Sequence, residues 1–282
     1  MFQIADNRRH FIRNGKPTFY LADTCWSAFT NMTEEDWEYY LDYRQTQGFN
    51  VLQINMLQQW DASQTRLTIK PFELNSDGSF NFSIYNEEYF QRAQRMFAKA
   101  HEKGMTIALV LLWANYVPDT WASQMPIKQL GLIPKEMVSS YVDKVMALYD
   151  RYDPIYVISG DTDFQSEEVV AAYYLRALNR VKENNPDALT TLHIRGREDD
   201  LPKKLKESPD LDFYMYQSGH NSEFPMVSYQ LAERFYNLRS SAELIPLKVP
   251  YLYDNEFRLL NLRYKSYRNI YFIRFKKKVT LS

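Results

Sequence analysis

The stretch EEYFQRAQRMFAKAHEKGMTIALVLLW, residues 87–113, decides the fold class. Its first part, 87–103, is amphipathic and reads as a helix that Gly104 stops. Its second part, 106–112, is continuously apolar, as a strand covered on both faces of a parallel sheet should be. A helix running straight into such a strand is half of a βαβ unit.

The same alternation extends in both directions. Upstream, 50–56 reads as a strand, and the helix before it starts at Thr33, where Thr33 can cap with Asp36 at the third position, and ends at Gly48. A hairpin is expected between 10–13 and 18–20 through Asn14-Gly15, a strong turn signal. Its second arm, 18–22, is expected to be the first barrel strand. Residues 57–86 read as one long irregular connection containing Trp60 and Asp61. Loops of that length are usually functional.

Downstream, Pro134 opens a helix to about 152, and 155–159 is a strand. Ser166-Glu167-Glu168 starts a helix that ends before Asn185-Pro186. Strands follow at 189–193, 212–216 and 248–253, with helices near 201–206 and 228–238 between them. Seven βα units in succession point to an α/β protein of the (β/α)8 TIM-barrel type, which needs roughly 250 residues. A doubly wound sheet would normally carry a glycine-rich first turn. Beyond Glu256, residues 259–267 could form a short helix and 270–275 an eighth strand, with nothing left for a closing helix. The barrel is therefore expected to be incomplete at its last βα unit.

Composition narrows the function. Hydrophobic residues make up 45 % and charged residues 24 % of the 282, as in a globular protein. The longest apolar run, 107–114, is too short to span a bilayer. Residues 1–16 are polar and charged, unlike a signal peptide, so a cytoplasmic location is expected. The single cysteine, Cys25, excludes an internal disulfide and a CxxC zinc site. GxGxxG, GxxxxGK[ST] and HExxH patterns do not occur, so a nucleotide cradle and that metalloprotease site are not expected. The net charge of -1 hides an asymmetry. Residues 257–282 hold eight basic and no acidic side chains, leaving 26 basic against 35 acidic, a balance of -9, in 1–256. We therefore divide the chain into a barrel domain, 1–256, and a basic tail, 257–282. The tail could bind nucleic acid, but with an acidic body it reads better as a solvated end, so neither a nucleic-acid nor a membrane partner is expected.

In a barrel, chemistry sits at the C-terminal ends of the strands. Strand one ends in Asp23, Thr24 and Trp26, strand two in Gln53, Asn55 and Trp60, and strand three in Trp113, Asn115 and Tyr116. Strand four offers Asp161 and Asp163, strand five His193 and Arg195, strand six Gln217 and His220, and strand seven Asp254, Asn255 and Glu256. Singly, each has an ordinary alternative: Asp161 and Asp163 could cap the following helix, His193 could be a satisfied core histidine, and Trp26 and Trp113 could simply be core. Their convergence on one end of seven strands favours a site. Hydrolysis of a glycosidic bond needs two carboxyl groups, and Asp161 and Glu256 would face each other across the mouth. The remaining aromatic and hydroxyl-binding side chains suit a sugar. An Asp23/Asp161/His193 metal cluster is the rival use of these groups, with spacing that is not diagnostic.

Residues 19–57, FYLADTCWSAFTNMTEEDWEYYLDYRQTQGFNVLQINML, resemble the opening of the apiosidase-like glycoside hydrolases, where a GDT-x-W segment ends strand one and YLxxRxxxGFNVxQ forms helix one and strand two. SGDTDF (159–164) is similar to the family's strand-four motif, whose aspartate is the general acid/base. LHIRGR (192–197) resembles its HPRGR segment with Ile194 for the proline, and DFYMYQSGH (212–220) its strand-six segment. The likeness covers most of 2–237. It implies Asp161 as acid/base and Glu256 as nucleophile. In KVPYLYDNEF (248–257), Glu256 lies one residue later after Pro250 than the family's KPxxNxEPxYE places it, and the Pro-x-Tyr-Glu continuation is absent. A truncated or altered C-terminus, with impaired activity, is expected.

The function expected from this reading is a retaining, exo-acting glycoside hydrolase. It would remove a terminal, apiose-like or other sugar from a plant-type polysaccharide or oligosaccharide without a metal or other cofactor. Asp161 and Glu256 would be catalytic. Asp23, Trp26, Gln53, Asn55, Trp113, Asp163, His193, Gln217 and His220 would bind the substrate. The alternative is a non-catalytic carbohydrate-binding barrel.

Overall fold

The chain begins with three short antiparallel strands, β1 (Phe2–Ile4), β2 (Phe11–Arg13) and β3 (Lys16–Thr18). Asn14 and Gly15 join β2 to β3 with φ of 52° and 71°, the left-handed pair that a tight hairpin needs. The computed structural model describes residues 1–59, 69–123, 130–219 and 226–237, and the backbone of 271–275. The expected first barrel strand, 18–22, divides here. Its start closes the hairpin, and the barrel strand is β4 (Ala22–Thr24). Asn50 explains the break. Its side chain accepts from the Leu21 N–H (3.0 Å) and donates to the Phe19 carbonyl (2.8 Å), satisfying backbone groups that a continuous strand would have paired.

A single turn, α1 (Ala28–Asn31), precedes α2 (Glu34–Thr46). Thr33 caps α2 by accepting from the Asp36 N–H (3.0 Å), and Gly48 leaves it at φ 84°. The buried Arg92 guanidinium donates to the Phe29 carbonyl (2.6 Å) and to that of Met32, occupying acceptors that so short a helix leaves open. Next comes β5 (Val51–Asn55), buried throughout. The long connection after it is not irregular along its whole length, because it folds a hairpin, β6 (Phe72–Leu74) with β7 (Phe80–Tyr85). Phe72, Phe80 and Phe82 pack on one another, and the last two on Tyr116, so burial of aromatic rings holds this excursion in place.

Then follow α3 (Glu87–Glu102), β8 (Thr106–Trp113), α4 (Val138–Tyr149) and β9 (Ile155–Gly160). All eight residues of β8 are buried. The next helix is composite: α5 (Glu167–Val169), a wider π-helical segment Val170–Leu175, and α6 (Arg176–Asn184). The remaining elements are β10 (Thr190–Thr191), α7 (Lys203–Glu207), β11 (Phe213–Gln217), α8 (Val227–Asn237) and β12 (Tyr271–Phe275).

Five strands form a parallel sheet in the order β10-β9-β8-β5-β4. Strands consecutive among these five are therefore neighbours, as in a barrel wall. β11 continues it beside β10, where the Asp212 N–H reaches the Thr190 carbonyl (3.2 Å) and the Thr191 hydroxyl that of Phe213 (3.0 Å). The expected seventh strand, 248–253, lies outside the described residues. The expected eighth strand is present as β12, but it runs antiparallel against β11 and does not continue the parallel order. An open strand edge accepts a partner in either direction. Among the described residues, no helix is long and apolar enough to cross a membrane.

Candidate active site

The strand ends meet where β9 hands over to its loop. Asp161 has a φ of 49°, a left-handed conformation that costs a non-glycine residue of order 1 kcal/mol or more and persists only where neighbours hold it. The Asp161 N–H donates to His193 Nδ1 (2.7 Å), and the Asp161 carbonyl accepts from the Trp121 indole (2.5 Å). The carboxylate Oδ1 accepts from Gln217 Nε2 (2.6 Å). Gly160 is required just before it, because a Cβ there would lie 2.1 Å from the Trp113 ring.

His193 is 1 % exposed, and burial pushes its pKa down to about 3. The imidazole is therefore neutral at pH 7. Because Nδ1 accepts from Asp161, its proton is on Nε2. Trp26, Trp113 and His193 pack together, with ring centroids 5.2–5.6 Å apart. Such a wall offers both a flat apolar surface and polar edges.

On the next strand face, Thr162 shares a hydrogen bond with the Tyr174 hydroxyl (2.6 Å), which the π-helical segment carries. Asp163 is buried and its carboxylate is used within the protein. It accepts from the Trp121 N–H (2.9 Å) and the Gln165 amide (2.7 Å), and Arg195 stands 3.6 Å away. It is a brace for the loop and not an open sugar ligand.

Gln53 and Asn55 are buried at the end of β5. Their amides donate to Tyr20 and Gln59, both at 3.3 Å. Gln53 Oε1, Asn55 Oδ1, Asn115 Oδ1 and Trp113 Nε1 are buried without a hydrogen-bond partner among the described residues. Buried polar atoms are nearly always paired, so among the described residues this group is where hydrogen-bonding capacity is left at the strand ends.

Asp23 departs from the expected cluster. Its position alternates with Ala22 and Thr24, and Thr24 shares a face with Gln53. Asp23 thus faces the helix layer, where its carboxylate accepts from the Tyr40 hydroxyl (2.6 Å) and pairs with Arg44. The supposed Asp23/Asp161/His193 metal set is divided accordingly. Among the described residues, no group of three or more His, Cys, Asp or Glu could hold a metal ion. Glu256 and His220 lie outside the described residues, as does Trp60. Sequence reasoning missed Trp121 and Tyr174, which carry no motif and reach Asp161 and Thr162 only through the fold.

The family model for the apiosidase-like catalytic domain matches residues 5–256. The chain belongs to this family. Solved structures agree on the fold. A glycoside hydrolase superposes with a TM-score of 0.58 at 21 % identity, over 78 % of this chain and 46 % of its own. A family 5 glycoside hydrolase from Bacteroides vulgatus ATCC 8482 gives 0.61 at 19 % identity, over 82 % of this chain and 49 % of its own. The apiosidase-like chain spans about half the length of these solved relatives. No match was found among curated proteins.

Proposed function

We propose that this apiosidase-like chain hydrolyses O-glycosidic bonds, with Asp161 as general acid/base. The observation that carries this reading is Asp161 itself. It is a carboxylate held in a left-handed turn at the end of a barrel strand, braced by His193, Trp121 and Gln217. The Trp26/Trp113/His193 wall adjoins it through His193, and the ends of β5 and β8 carry buried polar atoms, unpaired among the described residues, that suit a sugar's hydroxyl groups. In the first step, Asp161 protonates the leaving oxygen while the anomeric carbon is attacked. In the second, Asp161 takes a proton from water as the sugar is released. Glu256 is the proposed nucleophile, which makes the enzyme retaining. We further propose exo-action on a terminal, apiose-like sugar of a plant-type glycan. Residues 1–256 would form the catalytic domain and 257–282 a basic tail, whose strand β12 pairs with β11 in the antiparallel sense.

Replacing Asp161 by Ala tests the assignment. Hydrolysis of a phenyl glycoside should fall by ~10²–10⁴, and that of a dinitrophenyl glycoside far less, because only the former needs protonation. Equal loss on both substrates would remove Asp161 from the role. A panel of aryl apiosides and arabinosides identifies the sugar, and NMR of the first-formed anomer distinguishes retention from inversion. Sugar binding without turnover on every substrate would favour the carbohydrate-binding alternative.

A further inference from the structure

Gln217 was expected to touch the sugar, but both N–H groups of its amide are already committed. Nε2 carries two N–H groups. One donates to Asp161 Oδ1 at 2.6 Å and the other to the Ile194 carbonyl at 2.9 Å. The second bond fixes how the amide is turned, since the reverse orientation would set its oxygen against the Ile194 oxygen. Gln217 is 3 % exposed, so neither bond competes freely with water.

The approach is built into the backbone. The Gln217 carbonyl accepts from the Arg197 N–H at 3.0 Å. A Cβ on Gly196 would fall 2.7 Å from the Gly219 Cα, and Gly219 itself has a φ of 79°. The segments after β10 and β11 therefore cross at closer range than side chains would allow, and that crossing sets Gln217 against the carboxyl at the end of β9.

An oxygen that constantly receives an N–H is the better seat for the carbonyl character of a carboxyl group, and the proton then resides on the other oxygen. We propose that Gln217 is a positioning residue for Asp161, holding Oδ1 as an acceptor and assigning the transferable proton to Oδ2. This rests on the acid/base reading above only for its catalytic consequence, since the hydrogen bond itself can be tested without turnover. The proton leaves Oδ2 for the glycosidic oxygen as the bond to the anomeric carbon breaks, and Oδ2 takes a proton back from the attacking water. Gln217 keeps both of its own protons throughout. Among the described residues, His193, which burial keeps neutral, accepts from the Asp161 N–H, Asp163 two residues on is faced by Arg195, and the Arg197 side chain lies beside Gly219.

The test is the titration of the Asp161 carboxyl carbon by NMR in the full chain labelled with ¹³C-aspartate, the signal being assigned by its loss in Asp161→Asn. Losing the N–H donor destabilises the carboxylate, so Gln217→Leu should raise the midpoint by about one pH unit. Gln217→Glu keeps the side-chain shape and sets a second carboxyl beside the first, so it should raise the shared titration further, by about one to three units. On an aryl glycoside that the wild type cleaves, the alkaline limb of kcat/KM should move in the same direction. An unchanged carboxyl midpoint in both folded variants would overturn the proposal. A shifted midpoint in a protein that hydrolyses no glycoside would uphold the pairing and reject the hydrolase reading. If Gln217→Leu fails to fold, Gln217→Glu alone decides.

Discussion

Two carboxylates stand at strand ends of one sheet, Asp23 at β4 and Asp161 at β9, and both read from sequence as site residues. They are used in opposite ways. Asp23 sits in ordinary extended backbone, so alternation alone directs it, and it turns toward α2. There it is held by the Tyr40 hydroxyl, kept protonated by burial above all, and by Arg44. Asp161 has left the strand, and its positive φ breaks the alternation and turns it toward the amide of Gln217 and the ring of His193. A carboxylate that continues a strand goes where the pleat sends it. One that follows a forced turn goes where its neighbours hold it.

The contrast can be broken most forcefully at the chemistry. Asp161→Asn should reduce turnover of poor-leaving-group glycosides by about a hundredfold or more, whereas Asp23→Asn should leave the ratio between good and poor leaving groups unchanged. A changed ratio in Asp23→Asn would merge the two sites. The next largest effect is expected from Gly160→Ala. The new methyl would meet the Trp113 ring at 2.1 Å, and relieving such overpacking typically costs about 1–3 kcal/mol. Denaturant melts should show it, and wild-type stability would mean that the turn before Asp161 is not forced. Asp23→Leu should cost about 1–3 kcal/mol by stranding Arg44 and the Tyr40 hydroxyl, both partly screened by solvent. An intact melting temperature would make the α2 side as dispensable as a surface pair.

The last expected effect is a pH dependence carried by His193. Its pKa is about 3 in the folded protein against roughly 6.5 when unfolded. Between those values the unfolded chain binds more protons, so stability is full above about pH 6.5 and falls as the pH drops toward 3. His193→Asn retains an acceptor for the Asp161 N–H but has nothing to titrate. Its stability should decline less between pH 7 and 5 than that of the wild type, and parallel declines would relieve His193 of the effect.

Local signals in the sequence translated directly where they act within a few residues. Asn14-Gly15 made its turn, Thr33 its cap, and the apolar run at β8 its buried strand. Asp161 and His193 meet as convergence of strand ends implied. What the sequence hid depends on distant partners. Asn50 splits the first strand from nearly thirty residues away. Aromatic packing turns part of a long loop into a hairpin, Arg44 captures Asp23, and an open edge lets β12 pair in the reverse direction. The role of Gln217 was hidden in the same way, because it depends on two glycines that let separate segments cross.

The π-helical segment Val170–Leu175 has a consequence of another kind. A π turn holds one more residue than the α-helix on either side of it. Because the turn is wider there, Tyr174 stands off the path that an α-helix would give it, and its hydroxyl shares a hydrogen bond with Thr162. Deleting one residue of the segment would return it to the α path, keep Ala177, Leu178 and Val181 facing the core, and displace Tyr174 from Thr162. Here the loop beside Asp161 is held by the length of the chain. Exchanging residue types along this helix would leave the wide turn in place, and a single deletion would remove it.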